Sequence, residues 1–228
     1  MSDISALAHT IAIKAMHLYI ASDRSEKTVA YFERVLWRSV RELYNGVIDE
    51  FGFIDDMTAL IEQQFNRAWR EGARSVGVDP VLDFTDEDYE IIQMRIDSEY
   101  EYIPDFTQAI VDARNAGERI DQFRNRVSMW ANRYNEIVND ARAWYGERQR
   151  LEWKLGKTEE HCATCAALSG IVAFGEEWVQ SGFHPQGAPN DLLECGGWQC
   201  DCALEPTTRK RTPRALDRLM DLAVSRGV

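Results

Sequence analysis

The chain has 228 residues, a formal net charge of −12, and is 45% hydrophobic and 28% charged. That is the composition of an ordinary folded protein, and seven Trp, eight Tyr and nine Phe exclude disorder over most of its length. The acidic balance excludes a general nucleic-acid coat, and no apolar run approaches the roughly 18 residues that a membrane span needs.

The first 149 residues read as helix after helix. Ile4, Leu7, Ala8, Ile11, Ala15, Leu18 and Tyr19 recur at three- and four-residue spacing. With no basic leader before them, they predict a helix rather than a signal peptide. After the polar break Ser22-Asp23-Arg24-Ser25, a second stripe follows: Val29, Phe32, Leu36, Val40, Leu43, Val47 and Phe51. Met57, Leu60, Ile61, Phe65, Ala68 and Trp69 make a third, ending near Gly72 or Gly77, where Gly77 suits a left-handed cap. Residues 78–84, with Pro80, form a connector. Thr85 and Asp88 have capping-box spacing and start a helix through Tyr89, Ile92 and Ile96. Pro104 interrupts this region, and Gly117 closes a short helix carrying Phe106, Ile110 and Val111. A long helix carries Ile120, Phe123, Val127, Trp130, Tyr134 and Ile137 to about Arg148. Such stripes predict core and helix-pairing surface, since burial is the usual role of amphipathic periodicity.

At Arg150 the period changes. Leu151, Trp153 and Leu155 alternate with charged residues, as in a strand with one buried face. Ile171–Phe174 and Cys202–Leu204 are further short strand candidates, and glycines concentrate here. The expected fold is mainly α with a small α+β zinc-binding C-terminal module. It divides into a helical region over residues 1–149, a Cys-rich module over 150–207, and a basic linker with a terminal helix over 208–228. Pro213 suits the first turn of that helix.

All five cysteines lie between Cys162 and Cys202. Cys162 and Cys165 form a Cys-x-x-Cys turn that can aim two sulfurs at one centre, and a second turn can supply two more for tetrahedral coordination. Cys195 and Cys200 are the better-separated second pair; Cys202, two residues beyond Cys200, can replace Cys195. Gly196 and Gly197 let the backbone bend tightly there. The predicted cofactor is one structural zinc ion, on Cys162, Cys165, Cys195 and Cys200, with His161 and His184 as reserve ligands. Three alternatives stay open. A redox Cys-x-x-Cys calls for a strand-to-helix setting without a second cluster. A disulfide framework conflicts with the odd count and with the lack of any sign of secretion. An iron–sulfur cluster is not distinguished by thiolate spacing.

The stretches W-K-L-G-K-T-E-E-H-C-A-T-C-A-A-L-S-G and L-L-E-C-G-G-W-Q-C-D-C-A-L-E-P carry a resemblance. They share a strand ending in Trp, a Cys-x-x-Cys-x-x-Leu-x-Gly knuckle and a closing Cys-x-Cys with the minor head proteins of tailed phages, the phage Mu F-like or head morphogenesis family. The helix W-A-N-R-Y-N-E-I-V-N-D-A-R-A-W-Y-G resembles the one preceding that knuckle. The likeness covers about residues 125–207. Many relatives close with His-Pro-x-Cys-x-Cys, whereas here Gly197 stands three before Cys200 and Cys195 lies two residues further back.

The resemblance implies a non-enzymatic component of the virion head, assembled in the host cytoplasm, in contact with the portal or the major capsid protein. A four-thiolate site leaves no open position for substrate, and no Ser-His-Asp signature, P-loop or Gly-x-Gly-x-x-Gly turn occurs. The alternative is a zinc-containing DNA-processing nuclease that uses carboxylates such as Asp86, Glu87, Asp88 and Glu90. Those four crowd one helix start, where they complement the helix dipole. From Thr208 onward six basic residues face two acidic ones, leaving the tail at +4 and the rest at −16. Arg209, Lys210, Arg211, Arg214 and Arg218 are therefore candidates for contact with an acidic neighbour or packaged DNA.

Overall fold

The computed structural model describes residues 28–198 and 200–226. The helix expected over Ile4–Tyr19 lies outside the described residues.

Helix α1, whose described part covers residues 28–44, buries Phe32, Leu36, Val40 and Leu43. It does not continue to Phe51 as its stripe predicts. The chain turns at Gly46, with φ +70°, and Asp49 caps α2 (Glu50–Ser75) by accepting from the Gly52 N–H at 2.8 Å. The break shifts the helical phase, and Val47 and Phe51 are left exposed.

Helix α2 is the longest element among the described residues and lies along α5 (Arg124–Tyr145). Phe53, Met57, Ile61, Phe65, Ala68 and Trp69 face the core. Buried Gln64 is satisfied by donating to the carbonyls of Trp130 and Ala131 at 3.0 and 2.8 Å. Gly72 is not a terminator. It is the point where the two helices touch: a Cβ there would stand 2.5 Å from the Val138 carbonyl and 2.6 Å from the Ala141 Cβ. Gly77, with φ +88°, takes the left-handed conformation just beyond the helix end.

Helix α3 (Asp86–Tyr100) starts at the expected capping box, Thr85 with Asp88. Helix α4 (Ile103–Ala116) begins around Pro104 and ends at left-handed Gly117. Ile120–Phe123 is a separate 3₁₀ turn, so α5 is shorter at both ends than its stripe predicts.

Strand β1 (Arg150–Lys154) is the centre of a three-stranded antiparallel sheet. It pairs with β2 (Val172–Phe174) on one side and β3 (Ala203–Pro206) on the other. Leu151 and Trp153 enter a second core with Leu168, Trp178, Phe183 and Leu204. On the opposite face Arg150 is half-buried and Lys154 exposed, but Glu152 between them is buried, which the alternation does not predict. Glu152 is 2% exposed, because Lys154 at 3.0 Å and Arg209 both pair with it. Leu155 lies beyond the strand and is exposed. Short helices α6 (Ala163–Leu168) and α7 (Gly175–Ser181) flank the sheet.

The C-terminal segment joins the same core. Helix α8 (Ala215–Ser225) begins two residues past Pro213 and buries Ala215, Leu219 and Ala223 against it. No described helix is long and apolar enough to cross a membrane.

The Gly72 contact gives a direct test. Ala is the better helix former by about 1 kcal/mol, yet overpacking at this crossing should make Gly72→Ala net destabilising by about 1–3 kcal/mol in urea unfolding. A variant as stable as the parent would refute the close approach.

Candidate metal centre

The first two cysteines sit at the start of α6. Cys162 is its N-cap, and its sulfur accepts from the Cys165 N–H at 3.4 Å, the bond that curls the Cys-x-x-Cys segment so that both sulfurs face one side. Two bonds then fix Cys195 against this turn. The Glu194 carboxylate accepts from the Ala163 N–H at 2.8 Å, and the buried Thr164 hydroxyl accepts from the Glu194 N–H at 3.3 Å. Neither Glu194 nor Thr164 was singled out from the sequence. Their signal is positional, each standing next to a cysteine.

Gly196 and Gly197 have φ of +61° and +81° and make the tight turn expected of them. Gly197 has a second role: a Cβ there would meet the Gly187 carbonyl at 2.5 Å. The strand that delivers Cys202 is pressed against the segment leaving β1, where a Cβ on Gly156 would collide with Asp201. Asp201 accepts from the Lys157 and Thr158 N–H groups and from the Thr158 hydroxyl, which pins this crossing.

All five cysteines are reduced and gathered in one place. Cys165 and Cys200 are 3.7 Å apart, sulfur to sulfur. Two sulfurs on one tetrahedral ion with metal–sulfur bonds of about 2.3 Å lie about 3.8 Å apart, so this spacing suits a shared ion. Donor atoms within 4.8 Å of one another form three groups: Cys162, Cys165 and Cys195; Cys165, Cys200 and Cys202; and His161, Asp201 and Cys202. The cluster can therefore hold a metal ion. The structure places all four expected ligands in it, together with Cys202 and His161. It does not bring His184 there.

The surroundings suit anionic sulfur. Hydrogen bonds from the Cys165 and Cys200 thiols draw Cys202 down to about 4, helped by the Gly156 N–H and the Trp153 indole. Trp153 Nε1 is buried without a well-aligned hydrogen-bond partner, and its N–H helps to lower the nearby Cys202. Cys165, hydrogen-bonded to Cys200 and Cys202, is pushed well up, and burial raises Cys195 to about 11. One proton-poor sulfur beside proton-holding ones is an arrangement that a divalent cation would relieve by displacing the shared protons.

His184 lies in a second polar site. Its Nδ1 is 3.2 Å from Asp140, whose other oxygen is 2.7 Å from Arg95. Arg133 reaches Glu136 at 2.5 Å, Glu99 at 3.2 Å and the Ala188 carbonyl at 2.5 Å. These groups line a cavity of about 280 Å³ between α3, α5 and the 184–190 loop. The sequence reading missed it. The available signal was Arg133, Glu136 and Asp140 at three- and four-residue spacing, a charged stripe on a helix otherwise read for its apolar one.

Of the basic tail, Arg209 faces Glu152 and Arg211 makes a two-point pair with Glu177, both within the chain. Lys210, Arg214 and Arg218 are exposed. No protein-family model, curated protein or solved structure matches this chain.

The polar cavity predicts a pH dependence. Burial pushes Glu136 up to about 7, with Arg133 opposing and the Asp140 charge adding to the rise. Burial disfavours the His184 imidazolium, but Asp140 more than offsets this and the pKa is raised. Both groups hold a proton more tightly folded than unfolded, so their contribution is present at low pH and is lost as pH rises through the folded values. Asp140 is lowered and stays ionised across this range. The lowered Cys202 works in the opposite sense over the same range, so the site is read from a difference: the stability of the parent relative to Glu136→Gln against urea should fall from about pH 5 to pH 8. A parent–variant difference that instead grows in the parent's favour over this window would overturn the assignment.

Proposed function

We propose that this chain is a structural component of a tailed-phage head, whose cysteine cluster holds structural zinc. The observation that carries the reading is the knuckle stretch itself, Cys162-Ala163-Thr164-Cys165 with the closing Cys200-Asp201-Cys202, since its family resemblance and its clustered sulfurs fall on the same residues.

Zinc is the ion that best suits a crowd of thiolates with no redox task, and a site of this kind staples chain segments together. Here the segments are the exit of β1, the start of α6 and the 195–202 stretch, which meet around the sulfurs. A nuclease would need carboxylates gathered for a catalytic metal. Among the described residues, every group with ligand spacing includes cysteine. Asp88, one of the carboxylates that reading would use, serves the α3 cap.

In this role the protein sits against the portal or the major capsid protein within the head, having assembled in the host cytoplasm. Lys210, Arg214 and Arg218 are the tail cations that engage an acidic neighbour or packaged DNA, because Arg209 and Arg211 already hold the tail to Glu152 and Glu177.

Elemental analysis of the purified chain should return at least about one equivalent of zinc, and chelation should open residues 150–225 to protease before the helical region, because binding free energy at such sites is folding free energy. Metal-free protein with intact thiols and unchanged protection would sink the zinc reading. Separately, replacing Lys210, Arg214 and Arg218 together by Ala should leave the fold intact and reduce incorporation into heads, with the parent itself binding less as salt rises. Equal incorporation of parent and variant at low and high salt would remove the tail from the account; absence of the parent from heads would remove the larger proposal.

A further inference from the structure

The sulfurs gather by threes, not by fours. A single tetrahedral zinc holds all four of its sulfurs about 3.8 Å from one another. The cluster instead consists of two cysteine triads that share one vertex, Cys165, with Cys162 and Cys195 on one side and Cys200 and Cys202 on the other. Cys202 is in turn the vertex shared with His161 and Asp201.

We propose that this is a binuclear site, in which the Cys165 thiolate bridges two d¹⁰ divalent ions. One ion takes Cys162, Cys165 and Cys195 with a solvent ligand as its fourth. The other takes Cys165, Cys200 and Cys202, and His161 or Asp201, which stand beside Cys202, closes in on it as the fourth ligand. The proposal rests on the reading of the cluster as a zinc site and extends it in stoichiometry and ligands.

Three observations support it. The first is the shared vertex: Cys165 is 2% exposed and sits between the other four sulfurs, the position a bridging ligand must occupy. The second is charge. One ion on four of five thiols leaves the fifth in the cluster without a ligand role, while two ions engage all five and offset most of their negative charge in a site where Cys165 and Cys202 are both buried. The third is the support around the last group. His161 Nδ1 lies 3.3 Å from the Thr158 hydroxyl, which donates to Asp201 at 3.0 Å. That chain sets the ring through one nitrogen, the usual outer-sphere arrangement of a ligating histidine, in which the other nitrogen binds the metal. Asp201 is held by the same hydroxyl and by two backbone N–H groups, yet a carboxylate has about four lone-pair sites and keeps capacity for an ion.

The test uses the full chain produced with zinc and, separately, with cadmium-113. Native mass spectrometry should show two ions per chain, and the cadmium NMR spectrum should show two resonances split by coupling through the bridging sulfur. Cys195→Ala should retain the ion on Cys200 and Cys202 and lose the other, giving one ion and one unsplit resonance. One ion per chain in the parent, with a single cadmium resonance, would overturn the binuclear proposal and leave the zinc reading standing. No ion in the parent would overturn both. Two ions without cadmium coupling would overturn the Cys165 bridge.

Discussion

Helix α5 has to be buried on two faces of opposite character, and the rest of the structure is arranged around that requirement. One face is apolar and meets α2 so closely that only glycine fits at position 72. The other carries Arg133, Glu136, Asn139, Asp140 and Arg142, charged or amide residues that would ordinarily face water. Asn139 accepts from the Leu204 N–H at 3.1 Å, and Arg142 donates to the Leu204 carbonyl at 3.1 Å. Two side chains of a helix thus take the place of a neighbouring strand along β3, which lies at the edge of its sheet. Leaving those two backbone groups buried and unpaired would cost about 1–3 kcal/mol each.

The cysteine cluster inherits its position from this joint. Strand β3 begins immediately after Cys202, so fixing Leu204 on α5 places the last cysteine pair relative to β1 and to Trp153. The other arm of the cluster is tied to the same helix through Arg133, which bonds the Ala188 carbonyl and lies over the Trp198 ring at 5.6 Å. Gly197, pressed on Gly187, links that loop to the Cys195 turn. The cysteine cluster and the helical region are therefore coupled mechanically through α5.

The tail follows the same logic. Arg209 and Arg211 pair within the chain because β1 and α7 offer them the largely buried carboxylates of Glu152 and Glu177. What reads as one basic run is thus divided between structure and surface, with Lys210, Arg214 and Arg218 exposed.

Much was legible in local sequence. The Thr85 capping box, the left-handed glycines at 77 and 117, the Gly196-Gly197 turn and the change of period at Arg150 are encoded within a few residues of where they act. So is the grouping of cysteines, because a Cys-x-x-Cys turn is made by its own backbone bond to Cys162. What tertiary structure decided lies beyond that range. Whether Gly72 ends a helix or admits a neighbour depends on α5, more than sixty residues away. Whether Glu152 faces water depends on Arg209, and His184 is drawn from the cysteines to Asp140 by a helix already committed to a second face. Hydrophobic period and turn chemistry are properties of adjacent residues, and sequence displays them. The pairing of buried charges is a property of which elements meet, and only the folded chain supplies it.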